Sequence, residues 1–118
     1  MSDAENFITS YVVDDDILVI KLHGRFDEKA GPDFDAEIEK RFAEGAHKLI
    51  IDCSFLGYIS SYGIGKLISL RGKLCAKGGE VKLSAVHSMV ADVFRLVHIE
   101  KLFDIYGDIE FARESFYE

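Results

Sequence analysis

The sequence predicts an α/β domain with a mixed sheet, in which an N-terminal antiparallel hairpin precedes a series of βα units and the helices lie mainly on one face. Strand-like and helix-like segments alternate along the chain, which favours parallel strands joined by helical crossovers. Three aspartates, residues 14–16, separate the first two strand-like segments and suit a hairpin turn. The 118 residues, 48% of them hydrophobic, are enough for one core. We therefore expect a single domain over residues 1–118, with residues 1–6 frayed.

The first part of the sheet is predicted from two segments. "FITSYVVDDDILVIKLHGRFD" reads as the hairpin, and Leu18, Ile20 and Leu22 alternate within its second strand, as expected for a strand with a buried face. "HKLIIDC" is a short continuous apolar run, typical of a strand that is buried on both faces. These segments supply the first three strands.

The segment between them, "AGPDFDAEIEKRFAEG", predicts the first helix. Pro32 suits the first helical position, and Gly45 suits the residue at which the helix stops. Phe34, Ile38 and Phe42 recur at every fourth residue, which gives one narrow apolar stripe on a charged surface. We expect this stripe to pack on the sheet.

The next two elements are a helix, "SSYGIGKLISLRGKLCAKGG", and a strand, "EVKLSA". The helix should end at Gly78 and Gly79. In the strand, Val81, Leu83 and Ala85 share one face, and charged or polar residues occupy the other. This alternation predicts that the polar face of the strand meets water.

The third helix is predicted over "SMVADVFRLVHI". Val90, Val93, Phe94 and Val97 follow helical spacing, and Ser88 suits the N-cap position. We expect these four apolar residues to lie in the core.

The chain closes with a short strand and a helix. "LFDIY" is the strand, and "DIEFARESFYE" is the helix, with Ile109, Ala112 and Phe116 turned inward. The predicted order is therefore β-β-α-β-α-β-α-β-α.

Charge and cysteine usage limit the possible functions. The net charge of −7 and the pI of about 5.0 disfavour binding to nucleic acid or to anionic membranes. No apolar run is long enough for a membrane span, and "MSDAENF" is too polar for a secretory signal, so the cytoplasm is the expected location. Cys53 and Cys75 are expected to be buried small hydrophobes. Neither forms a metal-ligand pattern, and no cofactor is implied.

The stretch "GYISSYGIGKL" places two serines between an apolar run and a helical segment. Ser60 or Ser61 can cap the helix, since a serine oxygen accepts a hydrogen bond from an amide of the first turn. A serine at such a turn can also be a nucleophile, or a hydroxyl that is phosphorylated. Phosphate there is favoured by the helix dipole and needs no catalytic group on this chain.

The motifs of catalysis and of phosphate binding fit this stretch poorly. A nucleophile elbow centred on Ser61 has its second glycine at Gly63, but Ile59 replaces the first. The phosphate-binding loop of nucleotide hydrolases needs a serine or threonine after its lysine, and Leu67 follows Lys66. An enzyme or a small nucleotide-binding protein is therefore the weaker hypothesis.

The chain resembles a known family along most of its length. "LIIDCSFLGYISSYGIGKLISLRGKLCAKGGEVKLSAVHSMVADVFRLVHIEKLFDIYGDIEFA" closely resembles the STAS domain, named after sulfate transporters and anti-sigma-factor antagonists. The resemblance runs from Ile8 to Phe116 and implies the STAS fold. "HGRFDEKAGPDF" is similar to the early Gly-x-x-Asp turn of the family, and Asp27 matches the aspartate of that turn.

The resemblance implies a site at the serine pair. Ser61 takes the place of the serine that is phosphorylated in the family, and Ser60, which stands where the family has an aspartate, is the alternative acceptor. Tyr62 occupies a position where a second serine or threonine is common, whereas Gly63 and Ile64 match directly. The implied partner-binding residues are Asp27, Ser60, Ser61, Tyr62, Gly63 and Ile64.

The function that the resemblance implies is that of an anti-sigma factor antagonist, a binding module and not an enzyme. The unphosphorylated protein would bind an anti-sigma factor of the histidine-kinase-like ATPase type. Serine phosphorylation by that kinase would end the complex, and a PP2C-type phosphatase would restore it. The alternative within the family is a non-switching STAS subunit of a stressosome or of a lipid-transport assembly, in which the serine pair is only a cap.

Overall fold

The computed structural model of the protein describes residues 6–118. The expectation of a frayed N-terminus lies outside the described residues except for Asn6, which is exposed and has no regular secondary structure. Nine strands and helices follow in the predicted order: β1 (Ile8–Val13), β2 (Ile17–Phe26), α1 (Gly31–Ala43), β3 (Lys48–Ile59), α2 (Ser61–Ala76), β4 (Glu80–Ser84), α3 (Ser88–Leu96), β5 (Ile105–Tyr106) and α4 (Ile109–Ser115).

The sheet is mixed, as the sequence predicts. Its five strands lie in the order β1-β2-β3-β4-β5. β1 and β2 pair antiparallel across the aspartate turn, and the remaining neighbours pair parallel. Each parallel pair is joined by a connection that contains a helix, which is the crossover that parallel strands require.

The helices lie mainly on one face of the sheet, which confirms that prediction. The larger core joins one face of the strands to α1, α2 and α3, and Phe34, Leu67 and Phe94 are the buried representatives of these three helices. A smaller cluster on the opposite face contains Ile17 and Val19 of β2, together with Ile50 and Ala112. α4 therefore covers the face that the other three helices leave open.

The prediction of a water-facing side of β4 is wrong. Lys82 is 4% exposed and Ser84 is 0% exposed. α4 accounts for this burial, because the Lys82 amine lies 4.6 Å from the ring centroid of Phe116, just past the end of that helix. The alternation in β4 marks two faces correctly, but a helix encoded later in the chain covers the polar one.

Three smaller predictions on burial and capping are also wrong. Cys75 is exposed, whereas Cys53 is buried, and burial raises the pKa of its thiol to about 12. Val97 follows the end of α3 and is 48% exposed, so it lies outside the core. The N-cap of α3 is His87, and Ser88 is already the first helical residue.

β3 is longer than the apolar run that predicts it. It continues to Ile59, and its parallel pairing with β2 continues to the pair Phe26–Ile59. Two register shifts, beside His23 and beside Arg25, accommodate the extension. The two strands therefore end side by side, and the residues that follow them share one edge of the sheet.

Candidate functional site

The candidate site lies where β2 and β3 end. The backbone amide of Ser60 donates a hydrogen bond of 3.0 Å to the carbonyl oxygen of Phe26. Asp27 directly follows Phe26, and Ser61 directly follows Ser60. The strand pairing thus brings together the early aspartate and the serine pair, which are more than thirty residues apart in the sequence.

Ser60 is the N-cap of α2, and its hydroxyl both accepts and donates a hydrogen bond. The oxygen accepts a hydrogen bond of 3.3 Å from the amide of Gly63, and the hydroxyl donates one of 3.2 Å to the Phe26 carbonyl. The side chain is partly buried. The hydroxyl of Ser60 therefore serves to start the helix and to fasten it to β2.

Ser61 has a different environment, although it is the next residue. It is the first residue of α2 and is exposed. Its hydroxyl makes no hydrogen bond with any of residues 6–118. α2 is 16 residues long, and the partial positive charge at its N-terminus favours negative charge at this position.

Gly63 fixes how closely α2 approaches the strands. A β-carbon at this position would lie 2.7 Å from the carbonyl oxygen of Phe26 and 2.8 Å from a side-chain carbon of Ile59. Both contacts are too short for any side chain. The position therefore requires glycine, and the close packing holds the first turn of α2 against the ends of β2 and β3.

Tyr62 and Ile64, which the sequence also predicts as partner-binding residues, differ in exposure. Ile64 is 9% exposed and belongs to the larger core, so its side chain holds α2 in place. Tyr62 is partly buried, and its hydroxyl lies close to Gly31 at the start of α1. The Lys66 amine lies 5.5 Å from the centroid of the Tyr62 ring and 2.8 Å from a carboxylate oxygen of Asp35, which raises the pKa of Lys66.

Asp27 shapes the other side of the site. One of its carboxylate oxygens accepts a hydrogen bond of 3.1 Å from the amide of Lys29 and so caps a short 3-10 turn before α1. The other lies 3.6 Å from the side chain of Arg25. Asp27, Arg25 and Lys29 line an open groove of about 360 Å³. The charge beside the serine pair is therefore mixed.

Arg25 is a residue of this edge that the sequence pattern does not single out. Its guanidinium lies 4.0 Å from the ring centroid of Tyr58, the residue that it pairs with across β2 and β3. Such a contact is a cation–π interaction. It depends on the register shift beside Arg25, which no periodicity in the sequence reveals.

The family follows from a comparison of sequences. The STAS domain model matches residues 9–112, which is most of the chain. The chain belongs to the STAS domain family. As predicted from the resemblance, the strand and helix order is that of a STAS domain, and the serine pair lies at the start of its second helix.

Three solved structures show the same fold. A Thermotoga maritima protein proposed to be an anti-sigma factor antagonist has a TM-score of 0.86 at 19% identity, over 94% of this STAS domain and 95% of that chain. An anti-sigma factor antagonist of Mycobacterium paratuberculosis gives 0.82 at 23% identity, over 97% of both chains. The Bacillus cell fate determinant SpoIIAA in its phosphorylated form gives 0.72 at 21%, over 92% of this domain and 97% of that chain.

Among residues 6–118, no group of three or more histidine, cysteine, aspartate or glutamate side chains is placed to hold a metal ion. No helix in that range has both the length and the apolar character needed to cross a bilayer.

Proposed function

We propose that this STAS domain is an anti-sigma factor antagonist that binds an anti-sigma factor in its unphosphorylated state and is released when Ser61 is phosphorylated. The observation that supports this most directly is the difference between the two serines. The hydroxyl of Ser60 is bonded to Gly63 and to Phe26, whereas that of Ser61 is exposed. A kinase needs an accessible hydroxyl, and Ser61 offers one.

Phosphorylation of Ser61 would change the surface without unfolding it. A phosphoserine carries a charge of about −1.5 to −2 at neutral pH. The N-terminus of α2 favours that charge, and Arg25 and Lys29 line the groove beside Asp27. The phosphorylated protein should therefore stay folded and present a more negative surface to its partner. A partner selected for the neutral surface would then dissociate.

The partners are the part of the proposal that rests on the family. The anti-sigma factor would be of the histidine-kinase-like ATPase type, and it would also be the serine kinase. A PP2C-type phosphatase would remove the phosphate. In this scheme the partners supply all the catalysis, and the STAS domain acts in the cytoplasm as a binding module. Structures of SpoIIAA are known in both its phosphorylated and its unphosphorylated form, which supports a switch of this kind in a protein of the same fold.

A second candidate is a non-switching STAS subunit of a stressosome or lipid-transport assembly. It is favoured by the capping contact of Ser60, which occupies the family's aspartate position and gives the serine pair a structural role without any phosphate. In that case Ser61 would be only the first residue of the helix.

The deciding experiment is phosphorylation of the purified chain by a candidate anti-sigma factor kinase of the histidine-kinase-like ATPase type. We expect the mass of one phosphate, which peptide mass spectrometry assigns to Ser61. Ser61→Ala should abolish the modification, and Ser60→Ala should preserve it. Phosphate on Ser60 would make the alternative acceptor the correct one. Absence of phosphate on both serines, with a kinase that modifies its own known substrate, would favour the non-switching subunit.

A further inference from the structure

The outer edge of β1 is the feature that the proposed function leaves unexplained. β1 is an end strand of the sheet, and no strand within residues 6–118 pairs with its outer side. The opposite end strand, β5, is only two residues long, whereas β1 has six. Short end strands limit unwanted pairing, and long ones invite it.

The direction of the free backbone groups follows from one hydrogen bond. The amide of His23 donates to the carbonyl of Phe7 at 2.7 Å, so the backbone groups of Phe7 point towards β2. Backbone direction alternates along an antiparallel strand. The backbone N–H and C=O groups of Ile8, Ser10 and Val12 therefore point away from the sheet.

β1 also lacks the features that usually protect a sheet edge. Its sequence, ITSYVV, contains no charged residue, no proline and no glycine. Bulges, prolines and lysines are the usual means by which proteins prevent edge pairing. Tyr11 and Val12 are 41% and 52% exposed, so part of the apolar surface of the strand is open as well.

We propose that the outer edge of β1 pairs with the same edge of a second copy of this chain, antiparallel and with Ser10 opposite Ser10. This register faces Ile8 of each copy with Val12 of the other, so that every outward-pointing residue meets another. If the register were shifted by two residues in either direction, either Ile8 or Val12 would have no residue of the other β1 strand opposite it. The result is a two-fold symmetric dimer with one continuous sheet.

The side chains fit this register. Thr9 of one copy faces Tyr11 of the other, and no charged side chain of β1 lies in the interface. Next to the two-fold axis, the hydroxyl of Ser10 donates a hydrogen bond to Glu37 of α1. The Glu37 carboxylate is 3.1 Å from the guanidinium of Arg41, which compensates its charge in each copy.

The first test is the association state of the full chain, measured by sedimentation from micromolar to millimolar concentration. We expect a reversible dimer. Val12→Lys should weaken it by at least about tenfold, because it places a lysine in the paired edge. Val97→Lys is the matched control, since Val97 is similarly exposed at 48% and lies just past α3. A chain that stays monomeric throughout, or a dimer that both variants weaken equally, would overturn the proposal.

A cross-linking test checks the register. Thr9 and Tyr11 form a pair without backbone hydrogen bonds in the proposed dimer, and such pairs have the Cα spacing that a disulfide needs. Two chains are prepared, Thr9→Cys and Tyr11→Cys, each with Cys75→Ser to remove the exposed thiol. On mild oxidation we expect a disulfide dimer in the mixture and little in either chain alone. Equal cross-linking in the separate chains would contradict this register.

Discussion

At the scale of single residues, the site depends on two neighbouring serines with different tasks. Ser60 is held by Gly63 and Phe26, and Ser61 extends into solvent. The sequence locates the serine pair and predicts the helix cap, but it cannot say which of the two hydroxyls is held in hydrogen bonds. That depends on the carbonyl of Phe26, which reaches Ser60 only through the strand pairing. The roles of these residues in partner binding stay predictions.

The first prediction concerns charge at Ser61. Ser61→Asp should reduce anti-sigma factor binding strongly, whereas Ser61→Ala should keep binding and resist phosphorylation. Because the residue is exposed at the first position of α2, Ser61→Asp should leave the melting temperature unchanged or slightly raised. Calorimetry and thermal melts measure the two effects separately. Equal affinity of both variants would place Ser61 outside the interface.

The second prediction concerns the two glycines of the same turn of helix. Gly63→Ala should destabilise the fold by about 1–3 kcal/mol, because the new β-carbon meets the backbone of β2. Gly65→Ala is the control: no atom lies within 4 Å of its β-carbon position, so alanine should stabilise the helix by about 0.5–1 kcal/mol. Urea unfolding measures both. If both substitutions increased the free energy of unfolding, the close approach at Gly63 would be one that can relax.

At the scale of elements, the sequence predicts the order and the inward faces well, and it fails where one element covers another. The stripe of α1 is confirmed by the burial of Phe34 and Ile38, since helical spacing is a local property. The predictions that Cys75 is buried and that Lys82 faces water are wrong, because the surroundings of both residues are set by packing between distant segments. The extension of β3 to Ile59 depends on register shifts with β2, which have no local pattern.

The third prediction concerns which residues of α3 contribute to the core. Phe94 is 2% exposed and Leu96 is 79% exposed on the same helix. Phe94→Ala should cost about 3–5 kcal/mol of unfolding free energy. Leu96→Ala should change it by less than about 0.5 kcal/mol. Chemical unfolding of the two variants checks the contrast. A small loss for Phe94→Ala would mean that the sheet is held without α3.

At the scale of the whole molecule, ionic contacts connect the first hairpin to α4. The guanidinium of Arg113 lies 2.8 Å from the carboxylate of Asp14, and the Tyr117 hydroxyl donates to the same carboxylate at 3.1 Å. The hydrogen bond from Arg113 lowers the pKa of Asp14. The hairpin turn and the smaller core cluster are therefore held by the same helix. That the domain occupies all of residues 1–118 stays a prediction.

The fourth prediction is a pH dependence. Because the pKa of Asp14 is lower in the folded state than in the unfolded state, its contribution to stability is present above its usual pKa and is lost as the pH falls through the lowered value. Asp14→Asn should lower the melting temperature at neutral pH and reduce its fall in acid. Asp15→Asn is the control, since Asp15 makes no ion pair with any of residues 6–118. Identical acid melts for both variants would contradict this role of Asp14.

The burial of Lys82 under the C-terminal helix has a consequence for synthesis on the ribosome. β1 to β4 and α1 to α3 all precede α4 in the chain, so they can leave the exit tunnel and pack before α4 emerges. Until then the nascent sheet presents Ile17, Val19 and Ile50 without their cover, as an apolar strip open to chaperones. The half of the molecule that carries the serine pair can form first, and the back of the sheet closes only when α4 emerges.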